Sequence, residues 1–226
     1  MIQATPQAEQ FQQQIGKSLQ QETLNTRAIK FARHAHIYTC GDEDESVYFI
    51  ERGQVKLLML APDGKECLLA ILSAGDVFGE LCLSGLSERR ETAMAMEETM
   101  LKQIPCSKFF ARLERDSLFQ GFIQYLSVRI ADQQEVIANL VTVDSEQRLG
   151  KTLLSLARSL GKKDPRYARI ESKITHEELS KMVGTTRPRI SVFMQRFKNL
   201  GLIETSADHF LIIKENRLNA YLSQLA

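Results

Sequence analysis

The chain has 226 residues, 43% hydrophobic and 25% charged, with a formal net charge of +1. That length holds one large domain or two small ones with separate cores, and the composition is that of an ordinary soluble globular protein. No apolar run approaches the roughly 20 residues of a membrane span, and MIQATPQAEQFQQQ lacks the basic-then-apolar order of a signal peptide, so a cytoplasmic protein is expected.

Residues 1–26 are Gln-rich and weakly periodic, which predicts a frayed arm or a short helix. From Ala28 to about Lys108 the texture changes to short β-rich runs: SVYFIE, Arg-Gly, QVKLLML, Pro-Asp-Gly, KECLLAIL, Ala-Gly-Asp. Runs of this length broken by Gly, Asp and Pro turns predict an antiparallel sandwich or barrel. Val47, Phe49, Val55, Leu57 and Met59 alternate with polar residues, as half-buried strands do. His34 and His36 sit on a predicted strand with no acidic partner obvious nearby. Cys40, Cys67, Cys82 and Cys106 are widely spread and form no CxxC pair. No metal site is expected from either set, and the thiols are read as reduced and partly buried.

The period changes at Ser117. Between there and Val143 the only Gly or Pro is Gly121, and Phe119, Ile123, Leu126, Ile130, Gln133, Ile137 and Leu140 form a 4-3-4-3 seam. A long helix with a heptad seam predicts a dimer interface. The polar seam position Gln133 would fix register or face a ligand. Asp144-Ser145 followed by Glu146 reads as an N-cap with an acid in the first turn, opening a helix over 145–160 that ends at Gly161. The charged stretch KKDPRYA reads as a loop.

ITHEELSKMVGTTRPRISVFMQRFKNLGLI, residues 174–203, reads as two short helices joined by a turn at Gly184. This spacing predicts a helix-turn-helix whose second helix fits a DNA major groove. Thr175 caps the first helix and Thr186 the second, with Pro188 in a first turn that tolerates its missing N–H. Ile190, Phe193, Met194 and Phe197 form the buried stripe, which leaves Arg187, Arg189, Ser191, Val192 and Gln195 for the groove. Thr185, Thr186 and His176 are placed for phosphate contacts. A hairpin from Ile203 to Ile213 forms a wing, and a short helix closes the chain. Charge follows this division: residues 144–226 carry 15 Lys/Arg against 9 Asp/Glu, and the rest 14 against 19. A basic C-terminal third suits a polyanion.

This order of parts resembles the Crp–Fnr superfamily of bacterial transcription regulators, and the likeness covers nearly the whole chain. GDEDESVYFIERGQVKLLM resembles the Gly-turns and strand of the family's β-roll, DGKECLLAILSAGDVFGELCL the segment entering its cyclic-nucleotide phosphate cassette, and residues 174–203 its helix-turn-helix. The resemblance implies an α+β fold: a cyclic-nucleotide-binding-type antiparallel β-roll (jelly roll) with its N-terminal arm over 1–116, a long dimerisation helix over 117–143, and a winged helix-turn-helix over 144–226. It implies a homodimer on a palindromic DNA site, with RNA polymerase as a further partner and cyclic AMP or another cyclic nucleotide as the candidate effector.

By the same resemblance Arg187 matches the arginine that family members place on guanine. Arg189 would read a second base or neutralise a phosphate. Pro188 and Val192 stand where the best-known cyclic AMP receptors carry glutamate and a second arginine, so a different half-site is expected. For the effector, Gly79, Glu80 and Leu81 match the family's Gly-Glu-Leu turn, and Gln133 and Gln134 lie where it contacts the base. Arg89, Arg90 and Thr92 fall near the phosphate position in an ambiguous frame: aligned on Gly79, Arg90 takes the slot; aligned on Thr92-Ala93, Glu91 does. A cyclic mononucleotide, another small effector and effector-free regulation all stay open, as does a nucleotide-sensing module without transcriptional output. No Ser/His/Asp set, P-loop or metal motif points to an enzyme.

Overall fold

Short strands and tight turns build the first part of the chain, and helices the second. The computed structural model describes residues 6–21, 27–85, 87–164 and 166–225. The chain divides into two compact units, residues 2–132 and 133–226, with the division inside one long helix.

The first unit opens with helix α1 (Pro6–Gln21), followed by strands β1 (Arg27–Phe31), β2 (His36–Tyr38), β3 (Ser46–Arg52), β4 (Gln54–Leu60), β5 (Glu66–Ser73), β6 (Val77–Phe78), β7 (Thr92–Ala95) and β8 (Thr99–Pro105). Two four-stranded sheets result, ordered β1-β8-β3-β6 and β2-β7-β4-β5. Pairing is antiparallel throughout, as the turn-punctuated sequence predicts for a sandwich or barrel and as the family resemblance implies for a β-roll. Helix α2 (Cys106–Arg115) and the long α3 (Phe119–Thr142) follow.

Strand β3 serves two cores, because successive side chains of a strand point to opposite faces. Tyr48 and Ile50 pack between the sheets with Tyr38, Val55, Leu57, Phe78 and Leu101. Val47 and Phe49 point the other way, onto Phe11, Ile15 and Leu19 of α1, Phe109 and Leu113 of α2, and Phe122 and Tyr125 of α3. Of the two readings, frayed arm or short helix, the structure shows the helix, integral to the core over residues 6–21; the rest of that stretch, 1–5 and 22–26, lies outside the described residues. Phe11, Ile15 and Leu19 recur every fourth residue and are fully buried, which stabilises the unit by about 2 kcal/mol each. A stripe of three among glutamines carries little periodic signal, yet it suffices when the facing sheet is apolar. Lys102 Nζ donates to Leu19 O at 2.6 Å and Arg112 Nη1 to Ser18 O at 2.8 Å, satisfying carbonyls at the helix end.

Strand β4 departs from simple alternation. Leu57 and Leu58 are both buried and Met59, expected to be half-buried, is 45% exposed. Opposite them the ladder shifts by one, with Leu69 of β5 as the extra residue of a bulge, while β4 stays in register with β7. His34 lies in a turn at φ 67° rather than on a strand, and His36 begins β2.

The second unit contains the last turns of α3, then α4 (Ser145–Leu160), strands β9 (Gly161–Asp164) and β10 (Tyr167–Ile170), helices α5 (His176–Val183) and α6 (Arg187–Asn199), strands β11 (Ile203–Thr205) and β12 (Leu211–Ile213), and α7 (Glu215–Gln224). Asp144 accepts from Gln147 N–H at 2.8 Å, the predicted N-cap of α4. Leu149, Leu153, Leu154, Leu156 and Ala157 of α4 are buried. KKDPRYA, read above as a loop, instead contributes to a hairpin that joins the wing in one sheet ordered β11-β12-β10-β9. Its lysines give no alternation; backbone pairing along a sheet edge holds it. Among the described residues no helix is long and apolar enough to cross a membrane.

Candidate nucleic-acid interface and sensor site

The helix-turn-helix is built by caps and one glycine. Thr175 accepts from Glu178 N–H at 3.1 Å while the Glu178 carboxylate accepts from Thr175 N–H at 3.0 Å, a reciprocal capping box at the head of α5. Gly184 closes α5 at φ 68°, a left-handed conformation that costs a glycine nothing. Ile190, Met194 and Phe197 are buried and Phe193 half-buried, so α6 turns the opposite side outward.

Arg187, Pro188, Arg189, Ser191, Val192 and Gln195 are all exposed on that side, with Val192 at 65%. Ser191, Val192, Gln195, Arg196, Asn199 and Leu200 share one shallow, open face of α6 and its C-terminal cap. Thr186 occupies the N-cap position with extended backbone, but its hydroxyl makes no cap bond. Thr185 N–H donates to Ser180 O at 3.1 Å, which ties down the turn. His176, expected on a phosphate, has its Nδ1 2.9 Å from Ser191 Oγ. Burial, then Lys198 and Arg187, hold its imidazole below the usual histidine range. Gln195 Nε2 donates to Asn199 Oδ1 at 2.9 Å.

In the first unit, the turn at Gly79 is organised around Arg89. Its Nη1 donates to Gly79 O at 2.7 Å, its Nη2 to Asp44 Oδ2 at 2.7 Å and to the Ser46 carbonyl, and its guanidinium stacks 4.2 Å over the Tyr38 ring. The side chain is 2% exposed. Burial works against its charge, but the hydrogen-bonded Asp44 carboxylate outweighs that and raises its pKa above the usual arginine value. Gly79 lies at φ 77°, and a Cβ there would sit 2.9 Å from Arg89 Nη1, so only glycine admits this approach.

The other candidate effector residues are dispersed. Arg90 is exposed, and Glu91 is buried, accepting from the Tyr38 hydroxyl at 2.8 Å. Burial and then Glu91 push the Tyr38 phenol well above its ordinary range. Thr92 begins β7 and accepts from Cys40 N–H at 3.1 Å, and Leu81 is exposed. Glu80 pairs with Arg129 of α3 at 2.9 Å, and Arg129 also donates to Val77 O at 3.2 Å. Asp76 joins this cluster by accepting from Gln12 Nε2 at 2.7 Å and from Ser73 N–H at 2.8 Å. Gln133 and Gln134 are exposed on the part of α3 belonging to the second unit. The roles of Asp44, Tyr38 and Arg129 were not read from the sequence. Each sits tens of residues from its partner, and only folding pairs them.

Residues 28–116 match the model of the cyclic nucleotide-binding domain, and residues 147–221 that of the Crp-like helix-turn-helix domain. The global nitrogen regulator of Synechocystis is 32% identical over 180 residues, 78% of each chain. The chain belongs to the Crp–Fnr superfamily. It is a Crp-like regulator with a cyclic nucleotide-binding domain and a helix-turn-helix DNA-binding domain. The CRP-like cAMP-activated global transcriptional regulator of Mycobacterium tuberculosis is 26% identical over 87% of this chain and 88% of its own. Among solved structures, a CooA variant from Carboxydothermus hydrogenoformans superposes with a TM-score of 0.69 at 28% identity, covering 88% of both chains. FixK2 of Bradyrhizobium japonicum, at 18% identity and a TM-score of 0.75, shares the fold.

Within this Crp–Fnr scaffold two features of the sensor stand out chemically. The buried guanidinium nearest the Gly79 turn is already engaged by Asp44 and two carbonyls. The buried side chain just before Thr92 is a carboxylate, Glu91, rather than a cation. An anion entering here meets no unpaired guanidinium from residues 89–91 except the outward-facing Arg90.

Proposed function

We propose that the chain is a homodimeric, sequence-specific transcription regulator acting on a palindromic DNA site, with residues 1–116 as sensor, 117–143 as dimerisation helix and 144–226 as DNA reader. One observation carries the dimer: α3 has a second apolar face beyond Phe122 and Tyr125. Ile123 is 61%, Ile130 54% and Ile137 62% exposed, all at seam positions. Apolar rows this long on one helix are covered in stable proteins, and a second copy's α3 supplies a matching heptad surface. Pairing also suits recognition helices that read half-sites one DNA turn apart. Double-stranded DNA is the principal partner and RNA polymerase the partner for output. Sedimentation of the purified chain at micromolar concentration, followed by selection from randomised duplexes, tests this. A monomer, or equal affinity for all duplexes, overturns it.

For the sensor, we infer that regulation proceeds without a cyclic nucleotide. Glu91 carries this reading: a buried carboxylate beside a cyclic phosphate is repulsive, and Arg89 is held by its own chain. A small effector of another class remains compatible with the Glu80–Arg129 cluster. Calorimetry with cyclic AMP and cyclic GMP is expected to give no binding heat at millimolar ligand; heat that disappears in Arg90→Ala would restore the cyclic-nucleotide reading. The cAMP-activated relatives of Mycobacterium tuberculosis and Pasteurella multocida point the other way, which makes this measurement decisive.

A further inference from the structure

Ser191 lies one turn into α6, and its hydroxyl is already engaged on two sides. Oγ donates to Arg187 O, four residues back, at 3.2 Å, and lies 2.9 Å from His176 Nδ1 on α5. A hydroxyl carries one proton and two acceptor lone pairs. A backbone carbonyl only accepts, so when both hydrogen bonds form together the Ser191 proton goes to Arg187 O. The His176 contact then requires a proton on Nδ1, which donates to Oγ. One lone pair is left, on an exposed side chain of the recognition helix.

We propose that Ser191 reads DNA as a hydrogen-bond acceptor only, and that His176 is the positioning residue imposing this; the base it recognises is adenine, through its N6 amino group. This rests on the DNA-reading function proposed above. In the major groove only adenine N6 and cytosine N4 offer a donor, whereas guanine O6 and thymine O4 are acceptors. Val192 decides between the two amino bases. Its exposed apolar side chain adjoins Ser191 and suits the C5-methyl group that an A·T pair, but not a G·C pair, presents. Residue 191 thus discriminates through its neighbours: without His176 a second lone pair is free and the hydroxyl rotor is held by the Arg187 carbonyl alone, so its proton can also turn toward a base acceptor.

The test uses the full-length protein and its preferred duplex, obtained by selection. Each adenine of the half-site is replaced in turn by purine deoxyriboside, which lacks the 6-amino group, and affinity is measured for wild type, Ser191→Ala, His176→Ala and His176→Asn. Asparagine places an amide N–H where Nδ1–H stood. At one A·T pair the wild type and His176→Asn are expected to lose about tenfold, and Ser191→Ala less than about twofold. Repeated selection with His176→Ala is expected to admit thymine or guanine at that position, while His176→Asn keeps adenine. If removing the amino group costs wild type nothing at any pair, or costs Ser191→Ala equally, the assignment of Ser191 falls. If His176→Ala keeps strict preference for adenine, His176 does not impose it. A wild type that selects no sequence at all removes the DNA-reading function itself, which distinguishes that failure from the others.

Discussion

At Arg89 a cation, a carboxylate, two carbonyls and an aromatic face are packed into one buried point. Its worth is measured by removing a partner, because an orphaned buried charge costs more than the pair contributes. Asp44→Ala is expected to destabilise the sensor by about 3 kcal/mol in urea denaturation, with Asp44→Asn, which keeps an acceptor, milder. Arg90→Ala, at an exposed position, is expected to change stability by less than about 0.5 kcal/mol. On α6 the exposed Arg187 is the candidate guanine reader. Arg187→Ala is expected to cost about 1–3 kcal/mol of specific DNA affinity and relax preference at one base pair in a binding-site selection. His176 adds a pH dependence with a definite sign. Its folded pKa is depressed, so the unfolded chain takes up the proton first as pH falls. Stability from this site is present above the ordinary histidine pKa of about 6.5 and is lost as pH drops below it. Urea midpoints of wild type are expected to fall more than those of His176→Asn between about pH 7.5 and pH 5.

Helix α3 shows how one element can satisfy two partners. Phe122 and Tyr125 face the first unit's core, and Ile123, Ile130 and Ile137 face outward. Because the outward row does not hold its own unit together, charging it should separate copies without unfolding either. Ile130→Lys with Ile137→Lys is expected to yield a monomer by sedimentation, helical by circular dichroism, with DNA affinity reduced to that of a single half-site reader. A protein that stays dimeric places the interface elsewhere. In α5 the reciprocal Thr175–Glu178 cap makes a comparable prediction: Thr175→Ala is expected to cost about 1 kcal/mol of stability.

Over the whole chain, the net charge of +1 conceals an excess of +6 in residues 144–226, the part proposed to meet DNA phosphates. A dimer with roughly 6–10 phosphate contacts is expected to show a log–log salt slope of about −5 to −9. A flat slope would mean the basic residues serve something other than DNA.

Much of this molecule was legible before folding because its signals are local. The heptad over 119–140, the caps at Asp144 and Thr175, the Gly184 turn and the Thr186–Arg187 start of α6 all reside within a few residues. The β9–β10 hairpin was missed because it has no clear period of its own, and α2 because it is short and follows directly on a strand, although Phe109, Arg112 and Leu113 recur at helical spacing; the fourfold stripe of α1 declares itself only against an apolar sheet. The sensor's chemistry was undecidable from the chain alone. Arg89, Arg90 and Glu91 are consecutive and all charged; that Arg89 and Glu91 are buried while Arg90 is not depends on Asp44, 45 residues from Arg89, and Tyr38, 53 residues from Glu91. Local residue order determined the elements and their sequence, and only tertiary contact determined which charges were taken out of water, since desolvation depends on every neighbour at once.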